Sequence, residues 1–314
     1  MLDGFQLETP QRADGVLTVF PLTVHYPPKR QSLTLGEALE QGRAKVLESG
    51  SVPEVVVDVR GDVAVLVLEG EVLTGGWQNR TVNISLLLEP GKAHRIPVSC
   101  VEQGRWSARR FRPLQPSRDP EVVAFEVAAS HALPSKLRRS KTRSAVRMLQ
   151  RRRVARSDQN EVWDAIECLL ERTGTDAPTR DVTAYTALRL PLVEALLKSI
   201  EILPHQVGAV VALGDRVVAV EVLDHPETWR RLYKRILQSY ALDALEAPET
   251  PPGVPSLEMA RAFLGDVAQA FEEATVVPAP VGLGVHRLPR EESAVQGFAL
   301  VHEGTLYHLL AFRN

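Results

Sequence analysis

The chain has 314 residues, 44% hydrophobic and 24% charged, with a formal net charge of −2, a composition that excludes a disordered, fibrous or collagen-like protein. No apolar run approaches the roughly 20 residues that a membrane span needs. Its cysteines are Cys100 and Cys168, and no basic, apolar leader precedes Gln6, which points to a reduced cytoplasmic protein without a membrane partner.

Val16 to Leu22 reads as a short strand, followed by Thr34-Leu-Gly-Glu37, a capping box for a two-turn helix that Gly42 can close. β-Branched alternation through Val55–Val59 and Val63–Val67, with Arg60-Gly61-Asp62 between, predicts a hairpin. A second hairpin is expected from Thr81–Leu88 and Ala93–Glu102 around Glu89-Pro90-Gly91-Lys92. Lys136 to Val154 is rich in helix formers. Another helix is expected from Asp158, with Glu161 completing its cap and Gly174 stopping it. Pro191 reads as the opening residue of a helix carrying Leu192, Val193, Leu196, Leu197 and Ile200.

Val207–Leu213 and Val217–Leu223 flank Gly214-Asp215, a strong hairpin signal. Asp224 and Glu227 then cap a helix whose Trp229, Leu232, Tyr233, Ile236, Leu237 and Tyr240 recur at helical spacing. A further helix runs from Ser256 to about Glu273, and a last hairpin joins Phe298–Val301 to Leu306–Phe312. These short connections predict an α+β fold with a largely antiparallel sheet, packed by helices from the middle and C-terminal parts. A single domain over 1–314 is the preferred organisation; the alternative is a β-rich lobe 1–130 and a lobe 131–314 of helices and hairpins.

Polar residues concentrate between Glu69 and Trp106. If Pro90-Gly91 is a two-residue loop, opposed residues sum to 181. Thr81 then faces Cys100, Asn79 faces Glu102, and Asn79, Thr81, Asn83, Ser85, Cys100 and Glu102 share one face. That face is the candidate ligand platform, with Gly75-Gly76 admitting another backbone. Gln78, Asn79, Arg80, Asn83, Arg105 and Trp106 are its candidate ligand contacts, and Glu71, Glu102 and Cys100 its candidate catalytic groups. The competing expectation is an internal hydrogen-bond network that fixes sheet register. The eight histidines are scattered, and no Walker loop or G-x-S-x-G elbow occurs, so neither a metal nor a cofactor is expected.

Charge is unevenly spread. Fifteen of the 37 lysines and arginines lie between Arg105 and Arg156 beside Asp119, Glu121 and Glu126, giving that segment +12. Such a block attracts polyanions, although Trp106, Phe111 and Phe125 are its only aromatics for stacking bases, which makes nucleic acid the less favoured partner.

Glu69-Gly-Glu71, Gly75-Gly-Trp-Gln-Asn-Arg80 with Asn83, and Ile96-Pro-Val-Ser-Cys-Val-Glu-Gln-Gly-Arg-Trp106 carry a family resemblance, together with Asp158-Gln159, Trp163 and Gln206-Val-Gly208. In these stretches the chain resembles a bacterial family named for its association with ADP-ribosylglycohydrolases and rhodanese-phosphatases. The resemblance covers most of the chain and implies an α+β domain linked to ADP-ribose-metabolising proteins, without implying a reaction. It implies that Arg80 or Arg105 contacts a pyrophosphate, that Gln78, Asn79 and Glu102 bond ribose or base edges, and that Trp77 or Trp106 stacks on the base. The expected function is therefore binding or processing of an ADP-ribose-like or other nucleotide-derived anion. The alternative is a non-catalytic module that docks an acidic protein or nucleic acid on the basic 105–156 segment.

Overall fold

The computed structural model describes residues 2, 4–14, 16–105, 124–247 and 253–314, with 127–131 described as backbone only. The first elements are β1 (Phe5–Leu7), β2 (Gln11–Ala13), β3 (Leu17–Val24), β4 (Ser32–Thr34) and α1 (Leu35–Glu40). A run of strands follows: β5 (Ala44–Glu48), β6 (Glu54–Val59), β7 (Ala64–Val67), β8 (Glu71–Thr74), β9 (Arg80–Val82), β10 (Leu86–Leu88), β11 (Lys92–Cys100) and β12 (Ala124–Ala132). Then come α2 (Ser135–Arg152), α3 (Gln159–Thr173) and α4 (Val182–Leu197), the pair β13 (Gln206–Leu213) and β14 (Arg216–Leu223), and α5 (Pro226–Leu245) and α6 (Leu257–Glu272). The chain closes with β15 (Thr275–Pro278), β16 (Val285–Leu288), β17 (Val295–His302) and β18 (Thr305–Arg313).

The fold is α+β with largely antiparallel sheets. Among the described residues, one sheet has the order β1-β3-β13-β14-β18-β17-β16-β15 with β2 beside β3, and β11-β6-β5-β12-β8-β9 close into a barrel. A small sheet, β10-β7-β4, contains a parallel pair between β4 and β7. Period-two alternation lets both faces of the large sheet be buried. Val210, Ala212, Leu309 and Ala311 face Phe263, Val267 and Phe271 of α6. Ala209, Val211, Leu310 and Phe312 belong to the other core, which continues into the barrel. Because β3 pairs with β13 from Leu17↔Leu213 to Leu22↔Gly208, the N-terminal strands share a sheet with the C-terminal ones.

Several local expectations hold because their signals are short-range. Thr34 and Glu37 form the capping box, Asp158 caps α3, Gly174 ends it in the left-handed region, and Ser256 caps α6. The β13–β14 and β17–β18 hairpins form as read. Four expectations are corrected. Val55–Val59 and Val63–Val67 do not pair with each other: β6 lies between β5 and β11 in the barrel, whereas β7 lies between β4 and β10. The 81–102 hairpin pairs only at its open end. Leu86–Leu88 leave for β7 and Lys92–Pro97 join β6, so the 98–100 register is Val98↔Val82, Ser99↔Thr81 and Cys100↔Arg80, one residue from that expected. Pro191 lies inside α4, which begins ten residues earlier at the Asp181 cap; burial of Val182, Tyr185, Val193 and Leu196 offsets the hydrogen bond that proline removes. His225, rather than Asp224, caps α5 through Nδ1 with Pro226 in its first turn, while Asp224 is buried.

Candidate functional site

The expected open face is covered. Asn79, Thr81, Asn83, Ser85, Cys100 and Glu102 are all buried, because residues on and around α2, α3 and α4 bond directly to this side of the barrel. Gly75-Gly76 does admit another element. It is β12: a Cβ on Gly76 would lie 2.0 Å from the Phe125 ring, and one on Gly75 would lie 3.1 Å from Ala124 O.

Gln78, Asn79, Glu102 and Arg105 come together as expected, but as an internal cluster. Arg105 Nε donates to Glu102 Oε1 at 2.8 Å and its Nη2 to Oε2 at 2.6 Å. Thr179 Oγ1 donates to Oε1 at 2.9 Å and the Asn79 backbone N–H to Oε2 at 3.1 Å. Four donors therefore meet the two Glu102 oxygens, which opposes a general-base role. Arg105 Nη1 also donates to Gly76 O at 2.7 Å, and Gln78 Nε2 to Glu102 O at 3.0 Å. The cluster reaches α4 through Asn79 Nδ2, which donates to Asp181 Oδ2 at 2.9 Å. Burial raises the Asp181 carboxyl even though Thr183 donates to it twice.

The remaining candidates separate. Arg80 is fully buried, donates from Nε to Val52 O at 3.1 Å, and lies 3.9 Å from Glu48 across the barrel. Asn83 joins Ser99, which donates to its Oδ1 at 2.7 Å, to Ala155 O, which accepts from its Nδ2 at 3.1 Å. Cys100 is pinned by Gln159, whose Oε1 accepts from its backbone N–H and whose Nε2 donates to its carbonyl, each at 2.8 Å. Burial pushes its thiol up, the reverse of what a nucleophile needs. Trp106 lies outside the described residues.

Glu69-Gly70-Glu71 serves two helices at once. Glu69 accepts from Arg138 Nη2 at 2.7 Å and lies 2.7 Å from Lys141 Nζ, both on α2. Arg138 Nη1 continues to Glu221 Oε1 at 2.8 Å, where Tyr240 Oη also donates at 2.7 Å. Burial alone would raise Glu221, but Arg138 and His308 hold it down to about 2. Ser85 Oγ lies 2.7 Å from His308 Nδ1, and His308 Nε2 is 3.6 Å from Glu221. This resembles a nucleophile-base-acid series, yet all three residues are fully buried and no substrate reaches them. Glu71 points the other way: its Oε2 accepts from Leu68 N at 2.9 Å and its Oε1 from Arg235 Nη2 of α5 at 2.6 Å.

Arg235 leads to open space. A cleft of about 830 Å³ lies between α1, β5, the start of β12 and α5. Phe125 and Leu232 supply apolar wall, and Lys45, Arg231, Lys234 and Arg235 supply cations. Glu37, Glu40 and Glu126 are its acids. Glu37 is already committed to Arg30 and Thr34, which hold its carboxyl at about 2 against the upward push of burial. Arg231, Lys234 and Arg235 are not among the residues the sequence singles out; their i, i+3, i+4 spacing on one helix is the signal that marks them.

The basic segment is partly internal. Arg105, Arg138 and Lys141 are buried, Arg151 pairs with Glu291 and Arg156 with Glu54, and 106–123 lie outside the described residues. Among the described residues, no group of three or more His, Cys, Asp or Glu is placed to hold a metal ion, and no helix is long and apolar enough to cross a membrane.

No curated protein and no solved structure matches the chain. A family model does, over residues 4–312, a span that takes in both buried polar clusters, the barrel and the large sheet. The chain therefore belongs to the ARPP-1 family, described as the ARG and Rhodanese-Phosphatase-superfamily-associated Protein domain.

Proposed function

We propose that the chain binds an ADP-ribose-like or other nucleotide-derived anion in the cleft between α1, β5 and α5, and that the Gln78–Arg105 cluster supports the barrel beside it. The observation that carries this reading is Arg235, set in the wall of a cleft of about 830 Å³ and oriented by the buried Glu71. That volume lies in the range of small-molecule sites, about 300–1,000 Å³. An arginine held by a carboxylate is oriented in advance, which lowers the entropy lost when it meets an anion. Glu71 is then a positioning residue. Reading the family name's ARG as ADP-ribosylglycohydrolase supports the same ligand class and partners among ADP-ribose-metabolising proteins. Free Cys100 and Cys168 suit a reducing compartment such as the cytoplasm.

The test is calorimetry and thermal shift with ADP-ribose, AMP and ribose 5-phosphate. ADP-ribose raises Tm, and Lys45→Glu with Lys234→Glu weakens it at least tenfold without altering the ligand-free Tm. An unchanged affinity in that double variant, or no shift with any of the three, removes the reading. Docking of an acidic protein or nucleic acid on the basic segment would fall instead to its exposed cations, among them Arg143, Arg147, Arg152 and Arg153. It predicts binding to mixed-sequence RNA that weakens steeply with salt.

A further inference from the structure

A second cleft, of about 430 Å³, opens on another part of the surface, where the start of α2 meets the β13–β14 turn and the C-terminal half of α5. Leu213, Val217 and Phe312 form apolar wall, and Arg139 and Arg216 stand over it. Its two acids are engaged elsewhere. Asp243 accepts from Ser135 Oγ and from the Lys136 backbone N–H, capping α2, while Glu246 accepts from Tyr185 Oη at 3.2 Å and lies 3.4 Å from Arg189.

Arg139 is half-buried and has no carboxylate ion pair among the described residues. Burial first, and then the like charges of Arg143 and Arg216, hold its guanidinium below the ordinary arginine value. Neighbouring Arg313 is already shared between Asp266 at 3.8 Å and the Phe263 ring at 4.5 Å. Like charges gathered at a partly desolvated wall repel one another more than they would in open water. An arrangement of this kind is unfavourable until an anion enters it. Two guanidinium groups lining one cleft, Arg139 and Arg216, suit an anion with more than one negative charge and several acceptor oxygens.

We propose that this cleft is a site for a small phosphorylated ligand, whose phosphate oxygens are held by Arg139 and Arg216 and whose body lies against Leu213, Val217 and Phe312. The site is separate from the α1–α5 cleft, shares none of its residues, and does not rest on the reading given for it. Its position on α2, directly beside Arg138, attaches it to the helix that carries the buried ion network.

The experiment is calorimetric titration of the full chain with inorganic pyrophosphate at low salt, with ligand-free melting temperatures recorded in parallel. Wild type binds saturably, and Arg216→Glu, at an exposed strand end, loses at least tenfold. With the cations of the other cleft removed by Lys45→Glu and Lys234→Glu, saturable pyrophosphate binding persists and is lost only when Arg216→Glu is added, so failure of one site is distinguishable from failure of the other. Arg216→Gln raises the ligand-free Tm, because it relieves repulsion on Arg139, and shrinks the rise that pyrophosphate produces. Pyrophosphate affinity unchanged in Arg216→Glu, absence of saturable binding in wild type, or loss of binding in the Lys45/Lys234 variant overturns the proposal.

Discussion

Gly70 leaves space that Arg138 occupies: a Cβ at Gly70 would lie 2.7 Å from Arg138 Nε, and the residue adopts φ +79°. Both facts exclude a side chain there. The backbone must turn within one residue so that Glu69 faces α2 and Glu71 faces α5, and the Arg138 guanidinium passes over the turn.

Gly70→Ala is expected to cost at least about 3 kcal/mol, since left-handed strain of about 1–3 kcal/mol is joined by disturbance of a buried ion pair. Gly91→Ala, at φ +70° with open space around it, carries the strain alone and costs about 1–2 kcal/mol. Urea unfolding of the two variants compares them, and equal losses would contradict the role given to Arg138.

Glu102→Gln removes the charge that Arg105 meets with two donors, leaving a buried guanidinium uncompensated, so a loss of about 3–5 kcal/mol is expected. A double-mutant cycle with Arg105→Met checks it. Coupling near zero would mean that the two side chains contribute to stability independently.

His286 is fully buried and its Nε2 donates to Ser85 O at 2.9 Å; burial, with His308 adding a smaller effect, lowers it to about 4 from an ordinary 6.5. The unfolded chain takes up the proton first. The stability His286 supports is complete above about pH 6.5 and is lost as pH falls toward 4, by about 3 kcal/mol over that window. Subtracting the profile of His286→Gln should isolate this loss. Glu221, at about 2 when folded, acts lower, losing its contribution as pH falls from about 5 through 2.

Cysteine alkylation offers a further check. Exposed Cys168 should react with iodoacetamide in the native protein, whereas Cys100, buried with its thiol raised, should react only after unfolding. Native labelling of Cys100 would show that the cluster around it opens.

Legibility follows range of interaction. The Thr34 and Asp158 caps, Gly174 and the Gly214-Asp215 hairpin involve residues within a few positions of each other, so their chemistry is visible in the string. The gathering of Gln78, Asn79, Glu102 and Arg105 was also legible, because turn residues between two β-type runs bring their outer ends together. Its burial was not. The residues that cover it, Gln159, Thr179 and Asp181, lie 57 to 79 positions beyond Glu102, and only the packing of α3 and α4 shows them.

By itself the sequence determined the caps of α1, α3 and α6, the β13–β14 and β17–β18 hairpins, the α+β class, and a set of polar residues too dense to be incidental, whereas strands such as β5, β8 and β12 and the first half of α4 carry no comparable local signal. Tertiary structure decided which strands pair: the valine-rich runs of β6 and β7 lie close in sequence, yet β6 joins β5 and β11 while β7 joins β4 and β10. It also decided that the polar set faces inward. A polar side chain is written identically whether water or a partner satisfies it, and burial depends on helices folding back from far along the chain.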